Sequence, residues 1–161
     1  MFFLRIANDR LVFSAAHFIT LADGVCEALH GHDYRVAVEL WGPLTDQEYL
    51  VDYVAVEELV RSVLAAWDHR LLLPSKHPQI HVVASRTDVQ VTFADRRWTF
   101  PLGDCCLLPV GNTTSERLAE QLGTRLVTEL GARLGCPPVR LRVEIGEGTG
   151  RWAGFEWKTG D

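Results

Sequence analysis

The chain has 161 residues, of which 47% are hydrophobic and 23% charged, and it carries a net charge of -5. These values fit one ordinary globular domain over 1–161 and argue against broad binding to nucleic acid or anionic membrane. No apolar run approaches the roughly 18 residues of a membrane span, and Arg5, Asn8, Asp9 and Arg10 interrupt the apolar amino terminus, so the expected address is the cytoplasm.

In chain order, the first strand-like alternation is Leu11 to Phe18, with Phe13, Ala15 and His17 on one face. Leu21-Ala22-Asp23-Gly24 reads as a turn. His30 to Trp41 alternates again, with His30, His32, Tyr34, Val36, Val38 and Leu40 in phase. Val56, Leu59, Val60, Val63, Leu64 and Trp67 repeat at three and four, which predicts a helix capped by Asp52.

Residues 75 to 111 are irregular, with short strand signals at Ile80–Val83, Val89–Phe93 and Trp98–Phe100 and a turn at Ala94-Asp95-Arg96-Arg97. A second helix opens near Asn112 to Glu116, carries Leu118, Leu122, Leu126 and Leu130, and stops at Gly131 or Gly135. Thr113-x-x-Glu116 fits a capping box. A last alternation follows Pro137-Pro138: Val139, Leu141, Val143 and Ile145. The order predicts an α+β domain, an antiparallel sheet covered on one face by helices.

The chemistry-bearing feature is His30-Gly31-His32, two imidazoles on one face of a strand, with His17 in phase on the strand before. If the strands pair, three imidazoles meet, the stoichiometry of a catalytic zinc site with its fourth position open. A chance His-x-His beside a hydrogen-bonded core histidine is the plain alternative. Cys26 stands four residues before His30, and positive charge there would make its thiolate available. A small core residue, or a fourth ligand that closes the site, competes with that role. With four cysteines in the chain, two of them adjacent (Cys105 and Cys106), no disulfide framework is expected.

Phe13-Ser14-Ala15-Ala16-His17 followed by Cys26-x-x-x-His30-Gly31-His32-Asp33-Tyr34 resembles the signature of the 6-pyruvoyltetrahydropterin synthases. The spacing is most similar to their 6-carboxytetrahydropterin synthase branch, which serves queuosine biosynthesis. The resemblance continues in order through Val51-Asp52-Tyr53, Asp68-His69-Arg70, Thr114-Ser115-Glu116 and Glu147-x-x-x-x-Trp152-Ala153.

It implies the tunnelling fold, a four-stranded antiparallel sheet with two helices on one face, joined edge to edge into a trimer or hexamer. It also implies a lyase acting on a small-molecule pterin, 7,8-dihydroneopterin triphosphate, to form a 6-carboxy- or 6-pyruvoyl-tetrahydropterin. Zinc would sit on His17, His30 and His32, Cys26 would be the base, and Asp68 and His69 a proton-exchanging pair. Thr114, Ser115, Glu116 and Glu147 would hold the pterin; Glu147 is preferred to Glu144 because it shares the phase of Val143 and Ile145.

Two features depart from the pattern. Glu27 lies three before His30, where some relatives carry a catalytic glutamate and cleave the side chain to 6-hydroxymethyl-dihydropterin, so two candidate bases stand side by side. A zinc-stabilised module, or a pterin-binding scaffold without chemistry, completes the alternatives. Between His69 and Thr114 there are 44 residues (70 to 113), longer than the family's usual connection, which predicts an inserted β-hairpin around 75–111.

Overall fold

The computed structural model describes residues 1–160. Its centre is β3 (His30–Gly42), a strand of 13 residues. One edge of β3 pairs with β9 (Arg140–Glu147) along its length. The other edge is shared in succession: β2 (Val12–His17) covers the first half, with His17 opposite His30, and β1 (Phe2–Ile6) the second. β10 (Trp152–Lys158) pairs with β9 at one margin. All these pairs are antiparallel, as expected.

Beyond β2 the sheet becomes mixed. β4 (Arg70–Pro74) pairs parallel with β2, and β8 (Cys105–Leu108) parallel with β4. The sheet is therefore larger than the four antiparallel strands expected: it has seven strands, in the order β10-β9-β3-β2-β4-β8 with β1 on β3, and β4 and β8 extend it in parallel beyond β2.

Two helices close the core face. In α1 (Tyr53–Leu64) the Asp52 carboxylate accepts the Val54 N–H at 2.8 Å, the cap expected from sequence. The longer helix, α2 (Ser115–Leu134), ends at Gly135, whose φ of 63° is the left-handed conformation that suits a glycine. Its start corrects the capping box: the cap is Thr114, which accepts the Arg117 N–H, so Glu116 falls too early in the first turn to close a box. The alternating residues of β3 and β9 interlock with Leu118, Leu122 and Leu126 of α2, all fully buried. α2 approaches the sheet so closely that a Cβ on Gly123 would lie 2.6 Å from the Phe155 ring.

The long middle segment forms a second sheet of three antiparallel strands, β5 (His81–Ala84), β6 (Asp88–Phe93) and β7 (Arg96–Pro101), rather than a single hairpin. It builds a satellite core with Phe18, Leu71 and Leu73, on the side of β4 away from Leu72, which belongs to the main core.

Candidate functional site

The register of β2 on β3 brings the three histidines together. His17 faces His30, and His32 faces Ala15 one pair further along. Their ring centroids lie 4.8 to 5.2 Å apart, and one ligand nitrogen from each lies within 4.8 Å of the other two. Gly31 keeps the reverse of the strand flat: a Cβ there would sit 3.3 Å from the Ala15 carbonyl oxygen.

Two rings are oriented by backbone carbonyls. His17 Nδ1 donates to Thr113 O and His30 Nδ1 to Ala28 O, both at 2.8 Å, which leaves Nε2 of each facing the cluster. Such carbonyl bonds fix the tautomer of metal-binding histidines. Burial pushes the His17 pKa below its ordinary value, partly offset by the Thr113 bond, so the ring is held in the neutral form that a metal needs. Three imidazole nitrogens without a cysteine fit a zinc ion with one open position.

Tyr34, next in phase after His32, was not singled out from sequence. Its hydroxyl lies 3.3 Å from His17 Nε2, it is fully buried, and burial together with Glu147 holds the phenol far above its usual pKa. Its place in the His30–His32–Tyr34 alternation was the signal available.

The four pterin-binding candidates converge. Thr114, Ser115, Glu116 and Glu147 line one cleft of about 340 Å³ with Ile19, Arg151, Trp152 and Ala153. Ser115 Oγ donates to Glu147 Oε1 at 2.7 Å, while Glu147 Oε2 lies 3.9 Å from His32 Nε2. One carboxylate thus touches both the cleft and the histidine cluster. Glu144, on the opposite face, pairs instead with Arg5 and Arg142.

The two candidate bases part company. Glu27 Oε2 reaches within 3.9 Å of His30 Nε2. Cys26 packs against the satellite core, with Sγ 3.7 Å from the Glu27 carbonyl, and is outside the cluster of possible ligands. Burial pushes its thiol pKa up; Arg96 pulls it down and Glu27 adds to the rise.

Asp68 and His69 are joined but stand apart from the cluster. Asp68 Oδ1 accepts the Ser14 N–H at 2.9 Å and lies 3.0 Å from His69 Nδ1. Burial raises the Asp68 pKa, but the bonds from Ser14 and His69 outweigh it and the net shift is downward. The His69 side chain is 81% exposed. It lines a cleft with Ser14, Ala16, Gly31 and Asp33, of opposite strand phase to the three histidines, and also with Ala15 and His32. Within one subunit His69 is outside the group of possible metal ligands formed by His17, His30 and His32.

The sequence pattern of the 6-pyruvoyl tetrahydropterin synthases matches residues 7–157. The chain belongs to that family. A putative 6-carboxy-5,6,7,8-tetrahydropterin synthase of Methanocaldococcus jannaschii is 30% identical over 145 residues, covering 89% of this chain and 88% of the relative. The crystal structure of 6-pyruvoyltetrahydropterin synthase from Plasmodium vivax superposes with a TM-score of 0.89 at 25% identity, over 98% of both chains. A catalytic-residue mutant of that enzyme, with alanine in place of a glutamate, matches equally well at 24% identity. Near-complete coverage by a solved family member shows that the tunnelling fold accommodates the long middle segment. Among the described residues, no helix is long and apolar enough to cross a membrane.

Proposed function

We propose that the protein is a zinc-dependent lyase that converts the side chain of 7,8-dihydroneopterin triphosphate and releases a 6-carboxy- or 6-pyruvoyl-tetrahydropterin. The observation that carries this reading is the Glu147 carboxylate, placed between a cleft and a three-imidazole cluster. A pterin presents its amino group and N3–H as a two-donor edge, which a carboxylate matches with two parallel charge-assisted bonds. A ring held so in the cleft directs its C6 substituent toward the histidines. Zinc bound there would supply Lewis acidity to the side-chain hydroxyls.

The chain's own groups do the rest. Ser115 holds Glu147 in place through its 2.7 Å bond, Trp152 and Ala153 wall the cleft, and Cys26 or Glu27 removes a proton from the side chain.

Incubating zinc-loaded protein with dihydroneopterin triphosphate and identifying the pterins by mass spectrometry tests the proposal; absence of both turnover and pterin binding would end it. Glu147→Ala is expected to weaken pterin binding by on the order of 10²-fold, the worth of two charge-assisted bonds, with zinc content unchanged. Equal binding by variant and wild type would remove Glu147 from the recognition role.

A second reading rests on Glu27. Its carboxylate, not the Cys26 sulfur, lies beside His30, which supports Glu27 as the base for cleavage of the side chain to 6-hydroxymethyl-dihydropterin.

The exposure of His69 supports a site completed by a second copy of the chain, assembled as a trimer or hexamer through the sheet edges at β10 and β8. Sedimentation should give a multiple of 18.1 kDa, and activity should fall on dilution in step with dissociation. Full activity in a monomer would show that His69 has no part in the chemistry.

A further inference from the structure

The inserted sheet does more than cover the back of β4. The β6–β7 hairpin turns at Ala94, with φ 51°, and Asp95. The next residue, Arg96, reaches across to the segment that carries both candidate bases. Its Nη1 donates to Cys26 O at 2.8 Å and to Glu27 O at 3.2 Å. The guanidinium lies 4.6 Å over the Trp98 ring, and Trp98 stacks on Phe18 with centroids 5.0 Å apart. Phe18 is 1% exposed and follows His17 directly in the chain. A continuous series of contacts therefore joins the insertion to the histidine cluster at one end and to the base-bearing peptide at the other.

That peptide is held at its other side by packing and by the chain that follows β2: Cys26 packs against the satellite core. Cys26 makes an isolated bridge with Thr20, and Glu27 N–H donates to Ile19 O at 2.9 Å. Thr20 is itself tied to Asn112, whose Nδ2 donates to Thr20 O at 3.0 Å, and to His77, so these bonds anchor the Ile19–Thr20 side of the loop. Arg96 supplies the side-chain bonds to the Cys26 and Glu27 carbonyls themselves. Its two acceptors are consecutive carbonyls, and a rotation of the peptide between them would turn Sγ and the Glu27 carboxylate together relative to His30. A stacked, planar guanidinium is suited to prevent such a rotation, because it loses little freedom on binding.

We infer that Arg96 is a positioning residue, which holds the Cys26–Glu27 peptide against the histidine cluster and so sets the balance between thiol and carboxylate as the proton acceptor. The inference rests on the proposed reading of Cys26 and Glu27 as bases. It makes the insertion a determinant of product identity.

The test compares full-length, zinc-loaded wild type with Arg96→Ala, using one readout that needs no turnover and one that does. The first is the rate of Cys26 alkylation by iodoacetamide across a pH series, resolved by peptide mass spectrometry. Its high-pH plateau reports access rather than ionisation. The plateau should rise about tenfold in Arg96→Ala, the worth of one charge-assisted bond, while that of Cys136 and the zinc content stay as in wild type. The second is the ratio of carboxy- or pyruvoyl-pterin to hydroxymethyl-pterin. It should shift, with kcat falling about tenfold and KM little changed.

Unchanged alkylation together with an unchanged product ratio would overturn the inference. So would a shift in KM alone, which belongs to substrate contact. If Arg96→Ala does not fold, Arg96→Lys, which keeps the charge but not the planar stack, is judged by the same two readouts. Should wild type form no pterin product, the functional proposal fails, while the alkylation series still decides whether Arg96 holds the loop.

Discussion

Replacing His17 by alanine is expected to strip the protein of zinc and of activity together. The ring is buried, its Nδ1 is committed to Thr113, and its Nε2 faces His30 and His32. Structural zinc sites with four ligands are worth about 10–16 kcal/mol, so one ligand carries roughly 3 kcal/mol or more, a loss of at least 10²-fold in metal affinity. Of the three ligands in the proposed site, the variant keeps two. Elemental analysis after dialysis should therefore find zinc in wild type and almost none in His17→Ala. Acid should act in the same direction, although burial, which lowers the His17 pKa, keeps protons from competing for that one nitrogen until below the ordinary imidazole range. Zinc retained at wild-type stoichiometry by the variant would show that the three rings are not the ligand set.

The cluster was legible from sequence because strand alternation has a period of two, so His30, His32 and the facing His17 needed only the β2–β3 pairing to meet. Asp52 and Gly135 were legible for a similarly local reason, since caps depend on one residue and its own turn. The capping box misplaced the start of α2 by one residue because tertiary demand prevailed. Thr113 is fully buried and its carbonyl holds His17, which moves the cap to Thr114 and leaves Glu116 to line the cleft.

β4 was hidden by a different cause. Leu71-Leu72-Leu73 shows no period because Leu72 enters the main core while Leu71 and Leu73 enter the satellite core, so both faces are apolar. β1 lacks a clean alternation because Phe2 and Phe3 are both exposed, and β10 because its inward face is only half buried. The bond from Arg96 to Cys26 spans 70 residues, and no local pattern announces a contact between an inserted hairpin and a loop.

Cys26→Ala and Glu27→Ala should separate the two chemistries. If each group removes a different proton, losing Cys26 abolishes carboxy- or pyruvoyl-pterin while hydroxymethyl-pterin persists, and losing Glu27 does the reverse. General-base catalysis contributes about 10²–10⁴-fold, so each missing product should fall by that factor rather than by a few-fold. The geometry makes the two losses unequal in cause. Glu27 lies 3.9 Å from His30 Nε2, whereas Cys26 packs in the satellite core with its pKa raised by burial. A thiol in that state must be drawn toward positive charge before it can act, and in its resting place Arg96 is the group that supplies some. Product formation through Cys26 should thus rise with pH as the thiolate forms, since a raised pKa places ionisation above the ordinary thiol range in the resting protein. Mass-spectrometric product ratios for the three proteins across a pH series decide the matter. If both variants reproduce the wild-type ratio, neither side chain is the base, and the proton acceptor must be sought in the Asp68–His69 pair of a neighbouring subunit.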